Sequence, residues 1–310
     1  EKRKMKKWIF PFLLLSVLII SACSNSTSTE KEENAEKEEA KTFTYESETG
    51  PVEVPTNPKR VVMLSGFTGN VIELGVNLVG VDVWSKTNPT FGEELKDVEE
   101  VSEDNLEKII ELNPDLIIAL STVKNVDKLK EIAPTVTYTW GKLDYLSQHV
   151  EIGKLLGKEK EAQKWVDDFQ KRAADSGEKI REKIGEDATV SVIEAFDKSL
   201  YVYGDNWARG TEILYQAMKL KMPEKVKQMT EKDGYYTLST EVVSEYAGDY
   251  VILSKYAEAD TSFEETQTFK NIPAVKNGHV FEMQGEGASF SDPVTLEKHL
   301  AFIEKSFLGE

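Results

Sequence analysis

From Val61 onward, short apolar runs of the kind a parallel sheet buries on both faces alternate with segments of helical periodicity. Val61–Leu64, Leu78–Val83, Leu116–Leu120 and Thr135–Thr139 read as strands, with Asn105–Leu112 and Val123–Ile132 as helices between them. Parallel neighbours need a crossover connection, so this order predicts βαβ units and an α/β class. A small hairpin precedes them, Phe43–Tyr45 and Val52–Val54 flanking the turn Glu48-Thr49-Gly50-Pro51.

Between Leu143 and Ile184 the alternation stops. Leu143, Leu146, Val150, Leu155, Trp165 and Phe169 keep helical spacing, and Gly157 with its neighbouring charges marks a break. Strands resume at Thr189–Ile193, Tyr201–Tyr203, Tyr250–Ser254 and Val280–Met283. This organisation predicts a first lobe over 43–142, a linking helix over 143–186 and a second lobe over 187–310. The lobes echo one another: Glu107 opens a helix and Asp115 opens a strand eight positions later, as Glu241 and Asp249 do.

Composition narrows the function. The 310 residues carry 55 Asp+Glu against 38 Lys+Arg, a net charge of -17 that repels phosphate backbones and argues against nucleic-acid binding. One cysteine leaves no internal disulfide framework. The three histidines (His149, His279, His299) form no HxxxH or HExxH pair, so no histidine-based metal site is expected. GxSxG, P-loop and HExxH motifs are absent, and Ser65-Gly66 has no histidine nearby, so the chain is not read as an enzyme.

The N-terminus reads as an address. Lys2, Arg3, Lys4, Lys6 and Lys7 precede an apolar run from Trp8 to Ile20, too short to span a bilayer. The run ends at Ile20-Ser21-Ala22-Cys23, which resembles a bacterial lipobox. The expectation is a signal peptide over 1–22 and an acylated Cys23 opening a flexible tether over 23–42, whose polar composition cannot offset the entropy of ordering. Such a protein works on the outer face of a membrane.

Four stretches carry a further resemblance: Val54-Pro55-x-x-Pro58-Lys59-Arg60-Val61-Val62, Asn113-Pro114-Asp115-Leu116-Ile117-Ile118, Ile132-Ala133-Pro134-Thr135-Val136 and Tyr203-Gly204-Asp205-Asn206-Trp207-Ala208-Arg209-Gly210. With them the chain, from about Thr42 onward, resembles the substrate-binding lipoproteins of iron–siderophore ABC importers, nearest the ferric hydroxamate binders of Gram-positive bacteria. The resemblance implies two α/β lobes joined by a single long helix, the class III periplasmic-binding-protein type, with ligand in the cleft. It also implies a monomer that meets an ABC permease dimer with its ATPase.

Ligands of open α/β sheets sit beyond the carboxyl ends of the strands. That places Phe67, Trp84, Lys86, Ser121-Thr122 and Trp140 on one cleft wall, and Tyr201, Trp207, Arg209 and the loop over 285–291 on the other. A ferric hydroxamate brings its iron fully coordinated, so the protein supplies no metal ligand and needs no cofactor. It needs a cationic fork, offered by Arg209, and aromatic walls from Trp207 and Tyr201. Phe290 stands where related binders carry an aromatic cluster. Glu107 and Glu241 match, by resemblance, the glutamates that dock on permease arginines. Catecholate complexes would require more cations than Arg209 and Lys86, and haem would require an axial ligand. Cobalamin is handled by the same fold and stays open.

Overall fold

The computed structural model describes residues 41–310. The signal peptide, Cys23 and all but the last two residues of the tether lie outside the described residues. Strands β1 (Thr42–Ser47) and β2 (Gly50–Pro55) form the expected antiparallel hairpin.

The first lobe is built on five parallel strands: β3 (Val61–Met63), β4 (Leu78–Val81), β5 (Glu99–Glu100), β6 (Leu116–Leu120) and β7 (Thr135–Tyr138), in the order β5-β4-β3-β6-β7. Helices α1 (Thr68–Glu73), α2 (Val83–Lys86), α3 (Leu106–Glu111) and α4 (Val126–Ile132) connect them. Strand β4 stops two residues short of the expected end because Asp82 accepts hydrogen bonds from the Trp84 and Ser85 N–H groups and starts α2. Helix α4 starts late because Asn125 adopts the left-handed conformation (φ 59).

The expected linking helix over 143–186 is two helices, α5 (Tyr145–Leu155) and α6 (Glu159–Ile184). They break at Gly157, whose φ is +69 and where a Cβ would sit 2.6 Å from the Thr56 carbonyl oxygen. Ile152 and Leu155 of α5 pack in the first lobe's core. Helix α6 is the bridge: Ala162 joins that core, while Val166, Phe169, Ala173 and Ile180 enter the core of the second lobe. At 1.5 Å per residue its 26 residues reach about 39 Å.

The second lobe carries β8 (Val190–Phe196), β9 (Ser199–Tyr203), β10 (Tyr235–Leu238), β11 (Tyr250–Lys255) and β12 (Val280–Gln284), ordered β10-β9-β8-β11-β12. Here the parallel expectation fails in part. The tight turn after Phe196 returns β9 antiparallel to β8, and β10 follows antiparallel on the edge. Strands β8, β11 and β12 are parallel. A π-helical segment (Glu212–Ala217) and α7 (Glu224–Thr230) precede β10. Next come α8 (Val243–Tyr246), α9 (Gln267–Lys270), α10 (Pro273–Lys276) and the C-terminal α11 (Pro293–Leu308).

The internal echo has a physical basis. Asp115 accepts from the Lys59 and Arg60 N–H groups just ahead of β3, and Asp249 accepts from the Thr189 N–H just ahead of β8. In both lobes an aspartate before the neighbouring parallel strand pins the first strand's entry. The lobes also touch at α1 and α11, where a Cβ on Gly69 would overlap Asp292 Oδ1.

Candidate functional site

A cavity of about 540 Å³ opens between the lobes, lined from α1 and α5 and from the segments that follow β3, β7, β9 and β12. In the first lobe, β3 ends in Ser65 and Gly66, both at positive φ (136 and 94), which turns the chain so that Phe67 enters the wall. Phe67 stacks on Trp140 at 5.7 Å and meets Tyr138 edge-on at 5.6 Å. Trp140, after β7, is half exposed and faces the cavity. From the linking segment, Tyr145 and Gln148 of α5 line it, one helical turn apart.

The opposite wall is the loop after β9. Ala208 and Arg209 both adopt left-handed backbone (φ 55 and 54), held there by a lattice of bonds. The Trp207 N–H donates to Thr211 Oγ1, the Ala208 N–H to Glu212 Oε1, and the Arg209 N–H to the Ala288 carbonyl. Trp207 lies against Gly234, where a Cβ would stand 2.5 Å from the indole, and Tyr235 packs 5.3 Å from it.

Arg209 departs from expectation. Its fork points inward: Nε and Nη2 each donate to Glu194 at 2.9 Å, Nη1 donates to the Trp207 carbonyl, and the group sits 4.5 Å over the Tyr203 ring. Glu194, 2% exposed, also accepts from Tyr203 and Ser254. A guanidinium has five N–H groups, so two remain for the cavity that Arg209 lines. The cavity therefore meets one edge of an ion pair rather than a free cation.

The other expected wall residues divide. Phe67, Trp140, Trp207 and Arg209 line the cavity; Tyr201, Trp84, Lys86 and Phe290 do not. Tyr201 sits one row back, its ring 6.5 Å from Tyr203 and 6.2 Å from Tyr235. Trp84 is 73% exposed on α2. Lys86 is consumed locally, its ammonium donating to the carbonyls of Leu95 and Val98. Phe290 is not in the lining, although its neighbours Ser289 and Ser291 are, and Ser121 and Thr122 also lie outside it. The sequence reading missed Asn70, Tyr145, Gln148, Glu212 and Asp292. A glutamine on the apolar face of α5 was the available signal for one of them.

Burial raises the carboxyls of Glu212 and Asp292 from their ordinary values and depresses His149 to about 4. Among the described residues no three His, Cys, Asp or Glu side chains are grouped to hold a metal. Glu107 and Glu241 are exposed, each in the first turn of the helical segment that returns to β6 or β11.

Residues 61–286 match the family model described as periplasmic binding protein. The chain belongs to that family. It is 37% identical over 302 residues to the iron(3+)-hydroxamate-binding protein FhuD of Bacillus subtilis (strain 168), covering 95% of each chain. Among solved structures it resembles the FhuD protein of S. pseudintermedius, with TM-score 0.77 and 36% identity over 87% of this chain and 99% of that one. FhuD2 of Staphylococcus aureus with bound ferrioxamine B gives TM-score 0.76 and 34% identity, covering 81% and 99%. These relatives are binding proteins, and this chain is a binding protein rather than an enzyme.

Proposed function

We propose that the protein binds a ferric hydroxamate siderophore of the ferrichrome or ferrioxamine type in the inter-lobe cavity and delivers it to an ABC permease for iron import. The observation that carries this is the cavity itself. Its volume suits a compact ferric complex, its flat walls are Phe67, Trp140 and Trp207, and Arg209 offers two N–H groups to oxygens around an iron that arrives fully coordinated. The relatives named for hydroxamate binding support the ligand class. A catecholate complex carries several negative charges, and Arg209, already paired with Glu194, is the sole basic residue among the described lining residues.

Cys23 anchors the protein by lipid to the outer face of the cell membrane of a Gram-positive bacterium, where it acts as a monomer. Glu107 and Glu241 dock on the permease dimer. Trp140 and Trp207 report occupancy directly. Titration with ferrioxamine B should quench tryptophan fluorescence and leave brown pigment on the desalted protein. Quenching by haem, cobalamin or a ferric catecholate, with none by ferrioxamine B, would replace this reading.

A further inference from the structure

Three side chains of the cavity take no part in its aromatic and guanidinium walls. Gln148 is 8% exposed, lines the space, and has no hydrogen-bond partner for its amide nitrogen. That nitrogen is enclosed, and a buried donor left unmade is unfavourable, so a turn of the side chain toward an acceptor that a ligand brings to this wall completes it. Glu212 and Asp292 line the same space at 2% and 4% exposed. Glu212 accepts from the Ala208 N–H, and Asp292 from the Thr295 N–H and hydroxyl. Neither carboxyl forms a salt bridge among the described residues, while the charge of Arg209 is balanced by Glu194.

The lining therefore holds two carboxyls with no dedicated cation. A cavity of about 540 Å³ is only about 10 Å across, so any charge on a ligand's periphery acts on both through surroundings of low dielectric. Added negative charge drives both carboxyls toward their protonated forms, whereas an ammonium favours their ionised forms.

We propose that Gln148, Glu212 and Asp292 form a specificity floor that admits uncharged or cationic ferric complexes, with Gln148 donating to a ligand carbonyl oxygen, and rejects anionic ones. This rests on the siderophore reading above and selects among complexes with the same iron centre. In the chain's own terms, Arg209 and the aromatics recognise the iron–oxygen core, and the floor reads the charge of the rest.

The test uses three ferric trihydroxamates that differ only in the terminal group: ferrioxamine B with its ammonium, its N-acetyl derivative and its N-succinyl derivative. Tryptophan quenching of the parent should rank the three by charge, the ammonium complex tightest and the succinyl complex at least about tenfold weaker than the acetyl one. Glu212→Gln should bring the succinyl complex to within about threefold of the acetyl one. Gln148→Leu should weaken all three by about tenfold, the loss of one hydrogen bond to ligand. A melting curve on each variant confirms folding, and should Glu212→Gln not fold, the parent series and Gln148→Leu decide. Equal affinity of the parent for all three complexes overturns the proposal, as does parent-level binding by Gln148→Leu. Failure of the parent to bind any of the three overturns the siderophore reading instead.

Discussion

Replacing Arg209 by alanine does two separable things. Glu194 stays buried with the hydroxyls of Tyr203 and Ser254 but loses two charge-assisted bonds at 2.9 Å. Removing one partner of a buried ion pair costs about 3–5 kcal/mol, and the surviving hydroxyl donors set the expectation near the lower end, about 3 kcal/mol. For a domain of this size that is a fall in Tm of roughly 6–12 °C. If Arg209 meets the ligand as proposed, binding separately loses its two remaining N–H groups, about 1.5–3 kcal/mol or roughly 10- to 150-fold. The double variant Glu194→Gln, Arg209→Ala separates the effects, because a neutral amide no longer needs the guanidinium. Calorimetry should show most of the Tm restored, while fluorescence titration with ferrioxamine B should show affinity still lost. An unchanged Tm in Arg209→Ala would refute the buried-pair argument. Parent-like affinity in the double variant would remove Arg209 from the site.

Three further expectations follow from other parts of the molecule. His149 is buried and neutral, depressed by burial to about 4 from an ordinary 6.5, so the unfolded chain takes up a proton that the folded one refuses. Stability should fall as pH drops from about 6.5 to 4, by up to about 3 kcal/mol from this residue. His299, depressed by burial to about 3, adds to that fall, while the raised carboxyls of Glu212 and Asp292 oppose it. Urea titrations of parent and His149→Gln at several pH values should show a shallower acid slope in the variant; identical slopes refute the assignment. Glu107→Ala with Glu241→Ala should change stability by less than about 1 kcal/mol and leave siderophore binding intact while iron uptake by cells fails, and undiminished uptake would end the docking role. Cys23→Ser should move the protein from the membrane fraction to the medium; retention in the membrane would refute the lipid anchor.

Much of the framework was legible because a parallel sheet writes itself as unbroken apolar runs, and because Asp115 and Asp249 repeat one device. The second sheet was harder. Strand β10 is an edge strand whose Tyr235 and Thr237 are exposed, so Tyr235–Leu238 shows no apolar run. The loop around Trp207 and Arg209 was found by its residue types, yet the direction of the arginine was not, since the partner lies fifteen residues away on β8. Its trace was a glutamate inside the otherwise apolar Val192-Ile193-Glu194-Ala195. Lys86 shows the reverse failure: a cation at the right end of the right strand, spent on backbone carbonyls that no local pattern announces. Gln148 and Asp292 come to the cavity through α5 and the start of α11, ten and eight residues beyond the last residues of β7 and β12 and so past the loops to which the strand-end rule points.

The two lobes are joined by α6 running through both cores, and a second contact sets α1 on α11 with no room for a side chain at Gly69, while Asn88 and Thr90 also meet Gly287 and Lys298 across the lobes. A bridge of one bonded helix does not bend as a pair of extended strands does, and the second contact lies beside the cavity at Asp292, where any swing of the lobes must shear it. Filling the cavity therefore leaves the outer faces that carry Glu107 and Glu241 at nearly fixed separation. If Glu107 and Glu241 dock as proposed, the transporter meets the same ruler whether or not the protein is loaded, and empty copies would compete for it on equal terms. Iron flux would then follow the fraction of surface copies that are filled, and once the transporter is saturated with copies, making more of the protein would not raise uptake.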